Sequence, residues 1–290
     1  MFTQDYLNGI GQLLLQHEII NDIKVLNDYN LDDFAADFQK KVGLRIDGII
    51  GPETLWNLQY PLIQRNTKQK FVKVDADIVK NIAPFGSLVL RNDTAEIYKK
   101  VKAEVNLLGG LLTTSGGKRE LSAQVTQSRS SKSLHYTGLA LDLAITSGFF
   151  KPETDPYIIV RNPINSLTYW TVYCRADKGQ EMELDAIFWK TMSAGKDETM
   201  KVKGKFINLT QIFIKHGFVP IKPRKGFLRV DNRDYLSSEW WHFQANRLLV
   251  KGVSQFGIEL LKLEEYTEEF LQKFQDIWGA RKEIFYKTWY

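Results

Sequence analysis

Ser133-Leu-His135-Tyr-Thr-Gly138-Leu-Ala140-Leu-Asp142 is the stretch from which the rest of the chain can be read. Its second half alternates as a strand does, so Gly138, Ala140 and Asp142 share one face while Leu139, Leu141 and Leu143 share the other. The leucines can enter a core. The opposite face then offers one carboxylate beside residues with almost no side chain, which leaves room for an ion, a water and a substrate. His135 follows the loop-like Ser128-Arg-Ser-Ser-Lys-Ser133 and can fold back toward Asp142.

A partner stands far along the chain in Glu239-Trp-Trp-His242. Positions three apart on a strand point to opposite faces, so Glu239 is expected in a turn, after Ser237-Ser238 and before a strand over residues 240–245. Trp240, Trp241 and Phe243 would wall the site and lower its dielectric. The two stretches together supply two imidazoles and a carboxylate to hold a metal, and a second carboxylate to move protons. That set suits a catalytic zinc site, in which three protein ligands leave the fourth position open. Cys174 is the only cysteine, which excludes an internal disulfide and a thiolate-rich zinc cluster.

The totals narrow the setting. A chain of 290 residues, 43% hydrophobic and 25% charged, has the composition of a soluble globular protein with one large domain or two. No window approaches the roughly 18 apolar residues of a membrane span, so no integral membrane association is expected. Residues 1–20 carry Asp5 and Glu18, lack a basic opening and lack a small-residue cleavage site, so no secretory signal is expected. The net charge of +5 favours anionic partners. Acidic and basic residues are nevertheless interspersed, and no basic stripe with interleaved aromatics occurs, so nucleic acid is not an expected partner.

Residues 1–60 read as a compact helical unit, with apolar spacing in Leu13, Leu14, Ile19, Ile20 and Ile23 and again in Phe34, Ala35 and Phe38. Gly43 stands where a helix must stop, Asp47-Gly48 makes a turn, and Pro52 opens a new helix. Residues 61–73 are polar and basic in their middle and read as a linker. Asp93 with Glu96 reads as a capping-box start for a helix through Ile97, Val101, Val105 and Leu108 that Gly109 closes. Short strands are expected at 111–115, 139–145 and 168–174. Asn208 should cap a helix ending at Gly217, and Phe270, Leu271, Phe274, Ile277 and Trp278 form one apolar helical face.

Phe38-Gln39, Gly43-Leu44, Asp47-Gly48-Ile49-Ile50-Gly51-Pro52-Glu53-Thr54 and Leu58 together resemble the three-helix peptidoglycan-binding domain over residues 31–59, with a divergent first helix. The resemblance implies binding to cell-wall murein. Ser133-x-His135-x-x-Gly138-x-Ala140-x-Asp142 followed by Glu239-x-Trp241-His242 is similar to the zinc D-alanyl-D-alanine carboxypeptidase and L-alanyl-D-glutamate endopeptidase family, over residues 103–244. That resemblance implies zinc on His135, Asp142 and His242, with Glu239 as general base and then general acid.

The family also carries a Ser-Gly-x-Arg element followed by a glutamine. Ser115-Gly116-Gly117-Lys118-Arg119 and Gln124 resemble it with one residue inserted, which implies Arg119 as oxyanion stabiliser and leaves Arg129 as a rival. Residues 146–205, between the second and third ligands, are expected to shape the substrate groove. His17, His216 and Cys174 read as structural, and the aromatic tail from Ile284 as packing onto the catalytic domain.

The expected fold class is therefore α+β: a three-helix, all-α peptidoglycan-binding domain (1–60), a linker (61–73) and a small antiparallel-sheet zinc peptidase domain with flanking helices (74–290). The expected function is peptidoglycan hydrolysis by a monomer, first as an L-alanyl-D-glutamate endopeptidase. A D-alanyl-D-alanine carboxypeptidase is the alternative, with Arg129 or Lys132 on the substrate's terminal carboxylate. A noncatalytic cell-wall-binding or virion structural protein is the alternative of another class, and the presence of Glu239 argues against it. With no signal sequence, the arrangement resembles a phage endolysin held in the host cytoplasm until lysis, and a bacterial autolysin stays open.

Overall fold

The computed structural model describes residues 1–123, 132–165, 167–189, 197–221, 224–225, 239–272, 286 and 288. Helices α1 (Gln4–Gln16), α2 (Leu31–Val42) and α3 (Pro52–Ile63) come first, then β1 (Phe71–Asp75), β2 (Ser87–Arg91) and α4 (Asn92–Leu107). Strands β3 (Ala140–Asp142), β4 (Tyr157–Ile164), β5 (Leu167–Trp189) and β6 (Asp197–Asn208) follow. Helix α5 (Leu209–His216), strands β7 (Val219–Pro220), β8 (Arg224–Lys225) and β9 (His242–Gln244), and helices α6 (Phe256–Leu261) and α7 (Glu268–Gln272) complete the order. All strand pairings among these elements are antiparallel, so the fold is α+β. No helix among the described residues is long and apolar enough to cross a membrane.

The chain divides into two compact units. One holds Met1–Lys70 with the described parts of Glu120–Ser133 and Arg247–Tyr290, and the other holds Phe71–Arg119 and Leu134–Asn246. In the first unit, Leu7, Ile10 and Leu14 of α1 meet Leu31 and Phe38 of α2 and Leu55 and Leu58 of α3 in one core. Gly43 ends α2 at a φ of 74° and Pro52 opens α3, as the turn chemistry requires. Gln39 explains its place in the motif. It is buried, its Oε1 accepts from the Asp47 and Gly48 N–H groups at 3.0 Å, and its Nε2 donates to Asp47 Oδ1 at 2.8 Å, so one side chain ties the turn to the helix.

The first unit also contains chain that the sequence assigns elsewhere. Val253 lies in the helical core, and buried Gln59 on α3 donates to the Val253 carbonyl and to Gln255 Oε1, both at 3.1 Å. Gln255 in turn donates to Pro52 O and Tyr286 O. Residues 247–272 therefore cluster with α1–α3, and Tyr286 packs edge-on to Trp56 of α3. The tail, expected on the catalytic domain, joins the helical unit where it is described, because two buried glutamines find their partners there. The linker is shorter than expected: Pro61 to Ile63 finish α3, and Phe71 to Lys73 already pair in β1. Phe274, Ile277 and Trp278 lie outside the described residues.

The second unit holds three antiparallel groups: the β1–β2 hairpin, the sheet β3-β9-β7, and the sheet β4-β5-β6 with β8 on β5. Residues 146–205 thus build mainly the long β5–β6 hairpin with β4. Asn208 accepts from Gln211 N–H at the start of α5, and Gly217 closes that helix at a φ of 102°. Helix α4 starts two residues earlier than the capping-box reading, with Arg91 rather than Asp93 at its N-cap. Asp93 sits in the first turn, where its two oxygens take the buried Arg91 guanidinium at 2.8 Å each. Residues 111–115 form no strand. There the Thr113 N–H bonds the Tyr157 hydroxyl at 2.8 Å, and Ser115 N–H donates to Asp142 O at 2.9 Å, so this segment supports the edge of β3.

Candidate metal centre

Antiparallel register brings the ligand types together. Strand β3 pairs with β9 so that Asp142 stands directly opposite His242, with Leu141 opposite Phe243 and Ala140 opposite Gln244. Directly opposed residues share a face, so the carboxylate and imidazole meet: His242 Nδ1 lies 3.0 Å from Asp142 Oδ1. His135 arrives from the 3₁₀ turn Leu134–Thr137. That turn is closed by Gly138, whose φ is +67° and whose missing Cβ would lie 2.5 Å from Arg91 N. Only a residue without a side chain allows this approach. His135 Nε2 then sits 3.3 Å from Asp142 Oδ2 and 3.2 Å from His242 Nδ1.

The outer ring nitrogens decide what the inner ones offer. The Gly117 carbonyl oxygen, 2.5 Å from His135 Nδ1, can only accept, so Nδ1 carries the hydrogen and a neutral His135 turns a lone pair inward at Nε2. Gln244 Oε1 lies 3.4 Å from His242 Nε2 and can take a hydrogen there, which lets His242 Nδ1 turn a lone pair inward. Two lone pairs and a carboxylate, all within 4.8 Å of one another, repel unless a cation or protons stand among them. Ligating histidines backed by carbonyl acceptors are the usual support of a metal site. The group can hold a metal ion.

Solvent reaches 22% of the Asp142 side chain, 12% of His242 and 5% of His135, so the group is enclosed but open on the carboxylate side. Burial alone would raise the Asp142 carboxyl. Where protons rather than a cation fill the group, the charge of a protonated His135 and the hydrogen bonds from both imidazoles overcome it and hold the carboxyl well below the ordinary range. Burial likewise pulls His242 down, while the hydrogen bond to Asp142 and the charges of Asp142 and Glu239 lift it above its ordinary value.

Glu239 lies in the turn before β9, where its carbonyl accepts from His242 N–H at 3.1 Å. Its φ of 41° is in the left-handed region, a costly conformation for a residue other than glycine. Arg119 donates its N–H to His135 O at 3.0 Å, and its guanidinium lies over the Tyr136 ring, 5.6 Å from the centroid. Gln124, Arg129 and Ser237-Ser238 fall outside the described residues. Sequence reasoning missed the Gly117 carbonyl and Gln244. The first has no side-chain signal, whereas alternation along β9 would have put Gln244 on the face of His242.

The other two histidines serve structure. His17 Nε2 bonds the Leu58 carbonyl at 2.8 Å inside the helical unit, and His216 Nε2 bonds Glu104 at 2.7 Å between α5 and α4. Cys174 is buried, and burial pushes its thiol up to about 12, so no thiolate forms near neutral pH. No protein-family model, no curated protein and no solved structure matches the chain, so the reading of the site rests on its own residues and on the motif spacing given above.

Proposed function

We propose that the protein is a zinc-dependent peptidoglycan hydrolase that cuts a stem-peptide amide, first as an L-alanyl-D-glutamate endopeptidase. The observation that carries this is the convergence of His135 Nε2, His242 Nδ1 and the Asp142 carboxylate within 4.8 Å of one another, with Glu239 in the turn whose carbonyl accepts from the His242 N–H. Two imidazoles with one carboxylate favour zinc among the common ions. A bound zinc ion would supply Lewis acidity and ease deprotonation of a nearby water.

The chain's own residues supply the proton traffic. Glu239 accepts a proton from the attacking water as the water adds to the carbonyl carbon, and the protonated Glu239 then delivers that proton to the leaving amine. Arg119, two residues beyond the Gly117 whose carbonyl backs His135, stabilises the oxyanion with its guanidinium. Residues 31–59 hold murein and raise the local substrate concentration without entering the chemistry. The monomer would act in the manner of a phage endolysin, kept in the host cytoplasm until lysis and then released onto the cell wall.

Purified stem peptides incubated with the zinc-loaded protein and read by mass spectrometry test the proposal. The expected cut lies between L-alanine and D-glutamate, and release of free D-alanine would replace the endopeptidase with the carboxypeptidase. Glu239→Gln should keep zinc and lose about 10²- to 10⁴-fold in rate. A zinc-loaded wild type that cleaves no stem peptide, or a glutamine variant that lyses walls at a near-normal rate, overturns the proposal.

A further inference from the structure

We propose that Gln244 is a positioning residue that holds His242 in the one tautomer able to ligate a cation through Nδ1. This rests on reading residues 135, 142 and 242 as a metal group. The two histidines reach the group through different nitrogens, His135 by Nε2 and His242 by Nδ1, and each needs an acceptor behind it. His135 has the Gly117 carbonyl, which can never donate. His242 has a side-chain amide, which can accept through oxygen or donate through nitrogen, so the orientation of Gln244 decides the chemistry of His242.

The strand fixes the face from which that amide approaches. Gln244 is paired on both sides, with Ala140 of β3 and Val219 of β7, and alternation along β9 puts its side chain on the face of His242. With Oε1 toward the ring, 3.4 Å from Nε2, the hydrogen stays on Nε2 and Nδ1 presents a lone pair to the group. Were the amide turned, its N–H would drive the imidazole hydrogen to Nδ1. There it would point at Asp142 Oδ1 at 3.0 Å and His135 Nε2 at 3.2 Å, closing the group with a hydrogen bond.

The test uses full-length wild type, Gln244→Ala and Gln244→Glu. Zinc affinity is read by chelator competition, and the His242 tautomer by long-range ¹H–¹⁵N spectra of histidine-labelled protein, which has only four histidines to assign. The expected result is an Nε2–H tautomer for His242 in wild type and zinc affinity weakened by about 10- to 100-fold in Gln244→Ala. Gln244→Glu, which can only accept, should restore affinity, and unchanged His17 and His216 signals show that the variants are folded. Gln244→Ala with wild-type affinity, or an Nδ1–H tautomer in wild type, overturns the role of Gln244 alone. A wild type that takes up no zinc overturns the metal reading itself.

Discussion

Antiparallel pairing places acids opposite bases twice in the second unit, with opposite results. On the β5–β6 hairpin, Glu181, Glu183 and Asp185 face Lys205, Lys203 and Lys201. Glu183 bonds Lys201 at 2.6 Å and Lys203 at 3.2 Å, but those lysine side chains are 69% and 81% exposed. Water screens such pairs until little remains. Between β3 and β9 the same pairing rule sets Asp142 opposite His242, with His135 added from a turn, in an enclosure where removing any one partner strands the others. Register brings charges together in both places, and burial alone decides which of them the fold depends on.

The largest break in that comparison should come at Asp142. Asp142→Ala leaves two lone pairs without a carboxylate, and zinc affinity measured by equilibrium dialysis should fall by more than about 100-fold. Gly138→Ala extends the test to the backbone, since its Cβ would meet Arg91 N at 2.5 Å and Phe71 Cε1 at 2.8 Å at a φ of +67°. Urea unfolding should show a loss of about 2–4 kcal/mol. An unchanged midpoint would mean that the His135 turn is far softer than its contacts imply.

An intermediate case sharpens the contrast. Asp77 accepts from the Leu112 N–H at 2.7 Å and Asn106 Nδ2 at 2.8 Å, and pairs with Lys102. Burial raises its carboxyl, but these partners outweigh burial and leave it below its ordinary value. Because the folded value lies below the unfolded one, this stabilisation is complete above roughly pH 4 and is lost as the pH falls through the depressed value. Asp77→Asn should cost about 1–3 kcal/mol at neutral pH and remove that part of the acid loss, checked by denaturation at several pH values. At the small end, Glu183→Gln should leave the thermal midpoint within error, at low salt and high.

Much of the site was legible in short-range pattern. Alternation put Ala140 and Asp142 on one face of β3, although Gly138 lies before that strand at a φ of +67° with no room beside it; the three-residue gap placed Glu239 in a turn, and Gly43, Pro52, Asn208 and Gly217 marked helix ends by their backbone chemistry. Partners held by main-chain atoms or at long range were not. The carbonyl of Gly117 has no identity in sequence beyond its glycine, and Gln59 and Gln255 find each other across 196 positions. Asp93 misled for a local reason: the helix has already begun at Asn92, and the carboxylate in its first turn takes the Arg91 guanidinium and the Thr94 N–H.

The membership of Val253 and Gln255 in the helical core bears on how the protein is made. Residues 71–119 and 134–246 follow one another off the ribosome, whereas α1–α3, synthesised before them, pack mainly on one another and gain Val253 and two of the Gln59 acceptors only from the stretch after Asn246. Helices made early thus share one core with chain made late.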